Sequence, residues 1–254
     1  MIKYYSKIFQ IRDDAKTKGV KKQMYKYEMH CHTAEGSKCA HITAAEMVEF
    51  YKKTGYDGLV ITDHFFNGNT TVPKELPWAE RVELFEKGYL SALEKGKRIE
   101  LDVFFGWEVS VMGTDFLTYG LDAEWLYAHE DCDKMRISDY CDLVHADGGY
   151  IVQAHPFREA GYIEMIRLLP RKVDAVETIN ACRTDFENSM ADQYADNYSL
   201  LKFCGTDNHV GMRERLASLE LDFRAESIND IMKAVMENRH KIKLYSLTDD
   251  GKLH

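Results

Sequence analysis

Five strand-like runs in this chain each lead into a histidine or a carboxylate, and that repetition constrains the fold more than any other feature. Tyr25-Lys26-Tyr27-Glu28 leads to His30 and His32, Tyr56 to Thr62 leads to Asp63-His64, and Leu101 to Trp107 leads to Glu108. Gly149 to Ala154 leads to His155, and Leu200 to Thr206 leads to Asp207-Asn208-His209. In a strand, side chains two residues apart point the same way, so His30 and His32 share one face. A lone His-x-His is a weak signal. Strands that carry a ligand residue at the same end, once bundled in parallel, aim those residues at one point, as at the C-terminal face of an α/β barrel. Histidine and carboxylate together suit Zn, Mn or Fe, and several can hold more than one ion.

Between these runs lie amphipathic stretches. Thr43 with Glu46 forms a capping box ahead of a helix over Ala44 to Lys53, with Gly55 at its end. Helices are also expected over Trp78 to Lys95, Ile137 to Asp147, Ala160 to Leu169, Asn188 to Tyr198, and from Ser227 to Asn238. Phe116 to Gly120 follows Glu108 after a tight turn at Met112-Gly113-Thr114, which suggests a hairpin. Leu219 to Phe223 reads as a short strand and Lys241 to Leu247 as a terminal extended segment, while residues 121–136 read as irregular. Alternating strands and helices imply a largely parallel sheet. With about seven main strands the expectation is an α/β fold, a distorted, TIM-like seven-stranded (β/α) barrel in a single domain. Residues 1–24 read as a polar N-terminal extension and 25–254 as the barrel with a C-terminal helix and extended tail.

Composition narrows the partners. A formal net charge of −9 argues against an extended nucleic-acid surface. A small phosphorylated substrate stays open, because clustered cations reverse the local sign. The six cysteines make no C-x-x-C pair, and no apolar leader or membrane-length run is present, so the reading is a cytoplasmic protein with reduced thiols and no membrane partner. Cys31, Cys182 and Cys204 are expected to pack. Oligomeric state is not legible.

His30-x-His32, Thr62-Asp63-His64, Gly106-Trp107-Glu108, Ala154-His155-Pro156 and Gly205-Thr206-Asp207-Asn208-His209 stand in an order that resembles the PHP (polymerase and histidinol phosphatase) family over Glu28 to His209. The resemblance implies a distorted seven-stranded barrel with two or three divalent metal ions and hydrolysis of phosphoesters by a metal-activated water. By the same resemblance His30, His32, Glu108 and Asp207 hold one ion, Glu108 bridges to a second bound by His155, and His64 with His209 holds a third. Asp115 stands where many members have histidine and can ligate through oxygen. The family often has an Asp or His a few residues past the His-x-His; here Glu35, Cys39 and His41 are the candidates, or none.

Phosphate needs cations besides the metals. Arg158, just past His155, and Arg183, after a sixth strand read over Val173 to Ile179, are the candidates, with a surface salt bridge as the alternative for each. Asn180 is read as ordering its loop. Asp63 is read as orienting a neighbouring histidine rather than ligating. Trp107 is read as core, and His129, His145, His240 and His254 as surface residues off the strand ends. The leading reading is a metal-dependent phosphatase of small phosphomonoesters. A metal-dependent amidohydrolase, or a metal-stabilised module without chemistry, are the alternatives.

Overall fold

A computed structural model describes residues 23–248 and 251–254. Most of the N-terminal extension therefore lies outside the described residues. In chain order the elements are β1 (Tyr25–Cys31), α1 (Ala44–Lys53), β2 (Gly58–Ile61), α2 (Trp78–Ile99), β3 (Asp102–Val111), β4 (Thr114–Tyr119), α3 (Ala123–Ala128), α4 (Ile137–Ala146), β5 (Tyr150–Ala154), β6 (Ala175–Asn180), α5 (Asp185–Tyr198), β7 (Leu201–Gly205), β8 (Arg215–Leu221), α6 (Ile228–Met236) and β9 (Lys241–Ser246). Among the described residues no helix is long and apolar enough to cross a membrane.

The expectation of seven strands is corrected. One sheet of nine strands curls into a nearly closed barrel, in the order β7-β6-β5-β4-β3-β2-β1-β8-β9. The strands β1, β2 and β3 pair in parallel, as do β5, β6 and β7. Two strands run against the rest: β4, between β3 and β5, and β8, between β1 and β9. The hairpin β3–β4 forms because Met112 and Gly113 take φ of +52° and +81°, the two-residue turn whose twist matches a right-handed ribbon. The ring closes at one end. Cys31 bridges to Asn208, His32 N donates to Asn208 O (2.8 Å), and Asp207 N donates to His30 O (2.8 Å).

Helices cover the outside. The Thr43–Glu46 and Ser227–Asp230 capping boxes start α1 and α6, and a third, Thr184–Glu187, starts α5 at Asp185, ahead of the expected Asn188. Helix α2 runs on past Lys95 because Gly96 does not end it: a side chain there would meet Leu101 O at 2.6 Å, so glycine permits the close approach of β3. Residues 121–136 hold α3 and a single turn of tight helix at Cys132–Lys134. No helix forms over Ala160 to Leu169. Gly161 weakens helix there, and Tyr162 and Met165 stay exposed instead of forming a buried stripe. The buried Gln153 amide ties this loop down, its Nε2 donating to Arg167 O at 2.7 Å. The apolar residues of the strands and helices bury against one another; Trp107 is fully buried, with its indole N–H donating to Tyr140 Oη (2.7 Å), and is core as expected.

Candidate metal centre

The strand directions explain which residues meet. All six parallel strands end at the closed rim, where β1 delivers His30 and His32, and the residues just past β2, β5 and β7 are Asp63-His64, His155 and Asp207. Glu108 sits within β3 beyond its ladder with β2, bridged to His64. Asp115 opens β4, and because β4 runs backwards its start lies at this same rim, opposite Ala154.

The predicted ligands converge. His30 Nε2 and His32 Nε2 are 3.1 Å apart, and Asp207 Oδ1 lies 3.7 Å and 3.5 Å from them. Two nitrogens on one tetrahedral zinc stand about 3.3 Å apart at bond lengths near 2.0–2.1 Å. Glu108 is central: its Oε1 is 3.3 Å from His30 Nε2 and 3.5 Å from His155 Nε2, and its Oε2 is 2.7 Å from His64 Nδ1 and 3.7 Å from His32 Nε2. Both Glu108 oxygens and His64 Nδ1 are buried without a well-formed hydrogen bond. Orphaned buried acceptors in a ring of imidazoles fit cations better than they fit a protein-only network. Among the described residues four sets of donor atoms lie within 4.8 Å of one another: His30, His32 and Asp207; Glu108, Asp115 and His155; His32, His64 and His209; and His30, His155 and Glu177. Each can hold a metal ion.

Hydrogen bonds aim the rings. Glu177 accepts from His155 N (2.9 Å) and Asn180 Nδ2 (2.8 Å), so its 3.0 Å contact with His30 is a bond donated by Nδ1–H, which turns His30 Nε2 to the centre. Asp63 accepts from Thr33 N and Oγ1 (both 2.6 Å) and from Ser37 Oγ (2.7 Å). With its proton given to Asp63, Ser37 Oγ accepts from His64 N (3.0 Å) and from His32 Nδ1 (3.1 Å). His32 Nε2 is thereby turned to the centre as well. Asp63 thus acts on His32 through Ser37 and does not reach the cleft itself.

Charge follows the same plan. Burial opposes ionisation of Glu108 and Asp207, yet the His64 charge for the first and the His30 charge for the second hold both carboxyls well below their usual range. Burial, with the charges of His209 and His64, pushes His32 well below the ordinary imidazole value, so it is neutral. His155 and Asp207 are non-glycine residues at φ +24° and +59°, so two converging side chains sit on a sparsely populated backbone.

The centre opens into a cleft of about 550 Å³ lined by Cys39, His64, Glu108, Asp115, Asp207 and His209 together with Arg158, Arg183 and Arg213. Arg158 Nη2 is 2.8 Å from Asp115 Oδ2, and Arg183 Nη2 is 3.8 Å from Asp207 Oδ2. All three guanidiniums have a buried Nε without a partner. Among the loop candidates, Cys39 lines the cleft, His41 is exposed, and Glu35 spends its carboxylate on Ala44 N (2.9 Å) at the start of α1. Cys182 borders the cleft instead of packing in the core with Cys31 and Cys204. His129, His145 and His240 bond elsewhere. As expected, Asn180 orders its loop, its Oδ1 accepting from Cys182 N.

Glu177, Ser37 and Arg213 were not singled out in the sequence. Glu177 stands inside the sixth strand, and a buried carboxylate among apolar neighbours was its signal. Ser37 and Arg213 lie in polar loops, where nothing in the pattern separates them from solvent-facing residues.

No family model matches the sequence, and no curated protein does. Solved structures do share the fold. A two-domain protein from Bacteroides vulgatus containing a predicted PHP-like metal-dependent phosphoesterase superposes with a TM-score of 0.62 at 13% identity over 87% of this chain, which spans 65% of that protein's length. PsfC from Pseudomonas syringae superposes at 0.59 with 16% identity, over 89% of this chain and 93% of its own. An amidohydrolase from Chromobacterium violaceum, solved with bound sulfate and no metal, superposes at 0.53 with 14% identity, over 85% and 97%. The chain therefore has the barrel fold of the PHP-like and amidohydrolase proteins.

Proposed function

We propose that this protein is a metal-dependent phosphoesterase acting on a small phosphomonoester. The observation that carries the reading is the placement of Arg158, Arg183 and Arg213 around the cleft that holds the His and carboxylate cluster, each with an unpartnered buried Nε, in a chain whose formal net charge is −9. The fold alone is shared with an amidohydrolase and does not choose between the chemistries. Three guanidiniums facing a small polar cleft support the phosphoesterase: a phosphate dianion is matched by such forks, whereas an amide carbonyl is neutral.

His30, His32, Asp207 and Glu108 would hold one ion, Glu108, His155 and Asp115 a second, and His64 with His209 a third. When bound, divalent ions supply Lewis-acid polarisation of the phosphoryl group and a lowered pKa for water. The chain's own residues do the rest. Glu177 and Ser37 fix His30 and His32 in the tautomers that present Nε2 to the centre. Glu108 and Asp207 stay ionised in a buried site and offset the imported positive charge. Arg158, steadied by Asp115, and Arg183, beside Asp207, take phosphoryl oxygens and orient the ester; Arg213, at the same cleft without a pairing partner among the described residues, adds a third donor fork. Asp63 positions Ser37 and makes no contact with substrate.

The test is metal analysis of protein purified without chelator, joined to hydrolysis of an aryl phosphate with Mn, Zn or Fe added. Phosphate release that depends on metal and is abolished by chelator is expected. Bound metal with amide hydrolysis and no phosphate release would instead establish the amidohydrolase reading.

A further inference from the structure

The third donor set is incomplete as the histidines stand. His32 lies within 4.8 Å of His64 and His209 by its ring nitrogens, but those nitrogens are already committed, Nδ1 to Ser37 Oγ at 3.1 Å and Nε2 beside His30 Nε2 at 3.1 Å. His64 and His209 therefore need another donor. His209 gives its Nδ1–H to Asp207 O (2.9 Å), which leaves Nε2. His64 Nδ1 is turned to Glu108 Oε2 at 2.7 Å, and its Nε2 faces Cys39 Sγ at 3.2 Å. Cys39 and His209 line the same cleft. Of the loop residues the sequence left open, Glu35 is spent on the start of α1 and His41 is exposed, so Cys39 alone of the three touches His64 in the cleft that His209 also lines.

We propose that Cys39 is a thiolate ligand of an ion held together with His64 and His209. This rests on the multinuclear reading above and deepens it: one position of an otherwise nitrogen and oxygen centre becomes a two-nitrogen, one-sulfur site. Thiolate is soft, and with imidazole it selects zinc over manganese or magnesium. The centre is then chemically uneven, with a zinc-preferring position at Cys39 and harder, carboxylate-rich positions at Glu108, Asp115 and Asp207. A mixed-metal preparation follows from that unevenness.

The experiment is a cobalt titration of the full chain after chelator treatment, with cobalt as the spectroscopic stand-in for zinc. Thiolate ligation gives a near-ultraviolet sulfur-to-cobalt charge-transfer band that nitrogen and oxygen ligands do not. The band is expected in the unsubstituted protein and in Cys182→Ser, which alters the other cleft cysteine. It is expected to vanish in Cys39→Ser and Cys39→Asp while the visible cobalt absorption of the remaining positions persists. Zinc at this position should weaken by at least about tenfold in Cys39→Ser, since even outer residues around a ligand are worth that much. Cobalt binding without the band in the unsubstituted protein overturns the thiolate ligand and leaves the phosphoesterase reading standing. A band that survives Cys39→Ser, or is lost in Cys182→Ser, overturns the assignment to Cys39. Failure to take up cobalt at all overturns both readings. If the Cys39 variants do not fold, X-ray absorption of the zinc-loaded unsubstituted protein decides the matter, because a sulfur scatterer in the zinc shell is either present or absent.

Discussion

Gly205→Ala perturbs the centre without touching any ligand. Gly205 ends β7, and a methyl group there would stand 2.3 Å from His30 Cβ and 2.5 Å from Glu177 Oε1. Unbonded carbons pack at about 3.5–4.0 Å, so strands β1 and β7 must part by about 1 Å or Glu177 must leave His30. Neither obstacle is the loose end of a side chain: His30 Cβ is fixed to the backbone that closes the barrel, and Glu177 is held by three donors. Overpacking costs about 1–3 kcal/mol, and a broken hydrogen bond to a charged group about 1.5–3 kcal/mol. Together these amount to about 2.5–6 kcal/mol, or about 5–24 °C in Tm for a domain of this size. Freed from Glu177, the His30 ring loses its aim, and metal affinity should fall about 10–100-fold. In thermal melts with and without metal, that loss removes about 1.4–2.7 kcal/mol of metal-induced stabilisation. Gly161→Ala is the control, since nothing lies within 4 Å of the added methyl. A Gly205→Ala protein that melts within about 2 °C of the parent and binds metal as tightly would refute the steric argument, because the predicted cost is several times that shift.

Glu177→Gln keeps the shape but turns an acceptor of three hydrogen bonds into a partial donor; isothermal titration should show metal affinity reduced about 10–100-fold, and an unchanged affinity would remove Glu177 from the design. Arg213→Ala should change stability by no more than about 0.5 kcal/mol, since no partner of Arg213 is found among the described residues, yet lower kcat/KM on an aryl phosphate by about 10–100-fold, the value of a charge-assisted bond. Arg158→Ala should lower both, because it strands the buried Asp115 carboxylate at about 3–5 kcal/mol; equal behaviour of the two variants in the melt would contradict the pairing. Alkaline pH should unfold the protein cooperatively. Burial pushes Tyr27 up to about 12 and raises Tyr51, Tyr56 and Tyr119 well above the ordinary phenol value. A phenol whose folded value is raised stabilises the fold below its unfolded value near pH 10 and loses that contribution as pH climbs through the folded one. Tyrosinate absorption that appears near pH 10 with near-ultraviolet circular dichroism intact would show these phenols to be accessible.

The strand-end pattern was legible because a ligand must follow a strand to reach the rim, and strands announce themselves by apolar runs. His32, His64, His155, Asp207 and His209 follow their strands, while His30 and Glu108 stand inside the ends of β1 and β3, and of these His64, Glu108, Asp207 and His209 line the cleft. Asp115 entered by resemblance, and its physical reason is the reversed direction of β4, which converts a strand start into a rim position. The strand count was misjudged for a related reason. Strand β8 pairs with the outer part of β1 and with β9; it is buried, but Ser218 and Glu220 interrupt its apolar residues, and β9 is mostly exposed and lysine-bearing, so neither shows a continuous apolar run in the sequence. The absent helix at Ala160 to Leu169 reflects tertiary capture of the loop by Gln153, a residue with no local signal. Residues that act through others, Glu177 and Ser37 above all, depend on partners distant in the chain; Glu177 lies 147 positions from His30, and no spacing rule spans that gap.

Asp207 shows how geometry and charge can be separated at one position. Its φ of +59° lets its own N–H and that of Asn208 both reach His30 O, at 2.8 Å and 3.2 Å, so the left-handed residue is the clasp that closes the barrel as well as a candidate ligand. For a residue with a Cβ this conformation costs about 1–2 kcal/mol. In ordinary strands and helices alanine is more stable than glycine by about 0.5–1 kcal/mol. At residue 207 the order should reverse: Asp207→Gly and Asp207→Ala lose the same carboxylate, and the same metal affinity, but only alanine keeps the strain. The glycine variant should therefore melt about 2–4 °C above the alanine variant, for a difference of about 1 kcal/mol. If alanine melts higher, the backbone at 207 carries no strain, and the clasp is held by its two hydrogen bonds at no conformational expense.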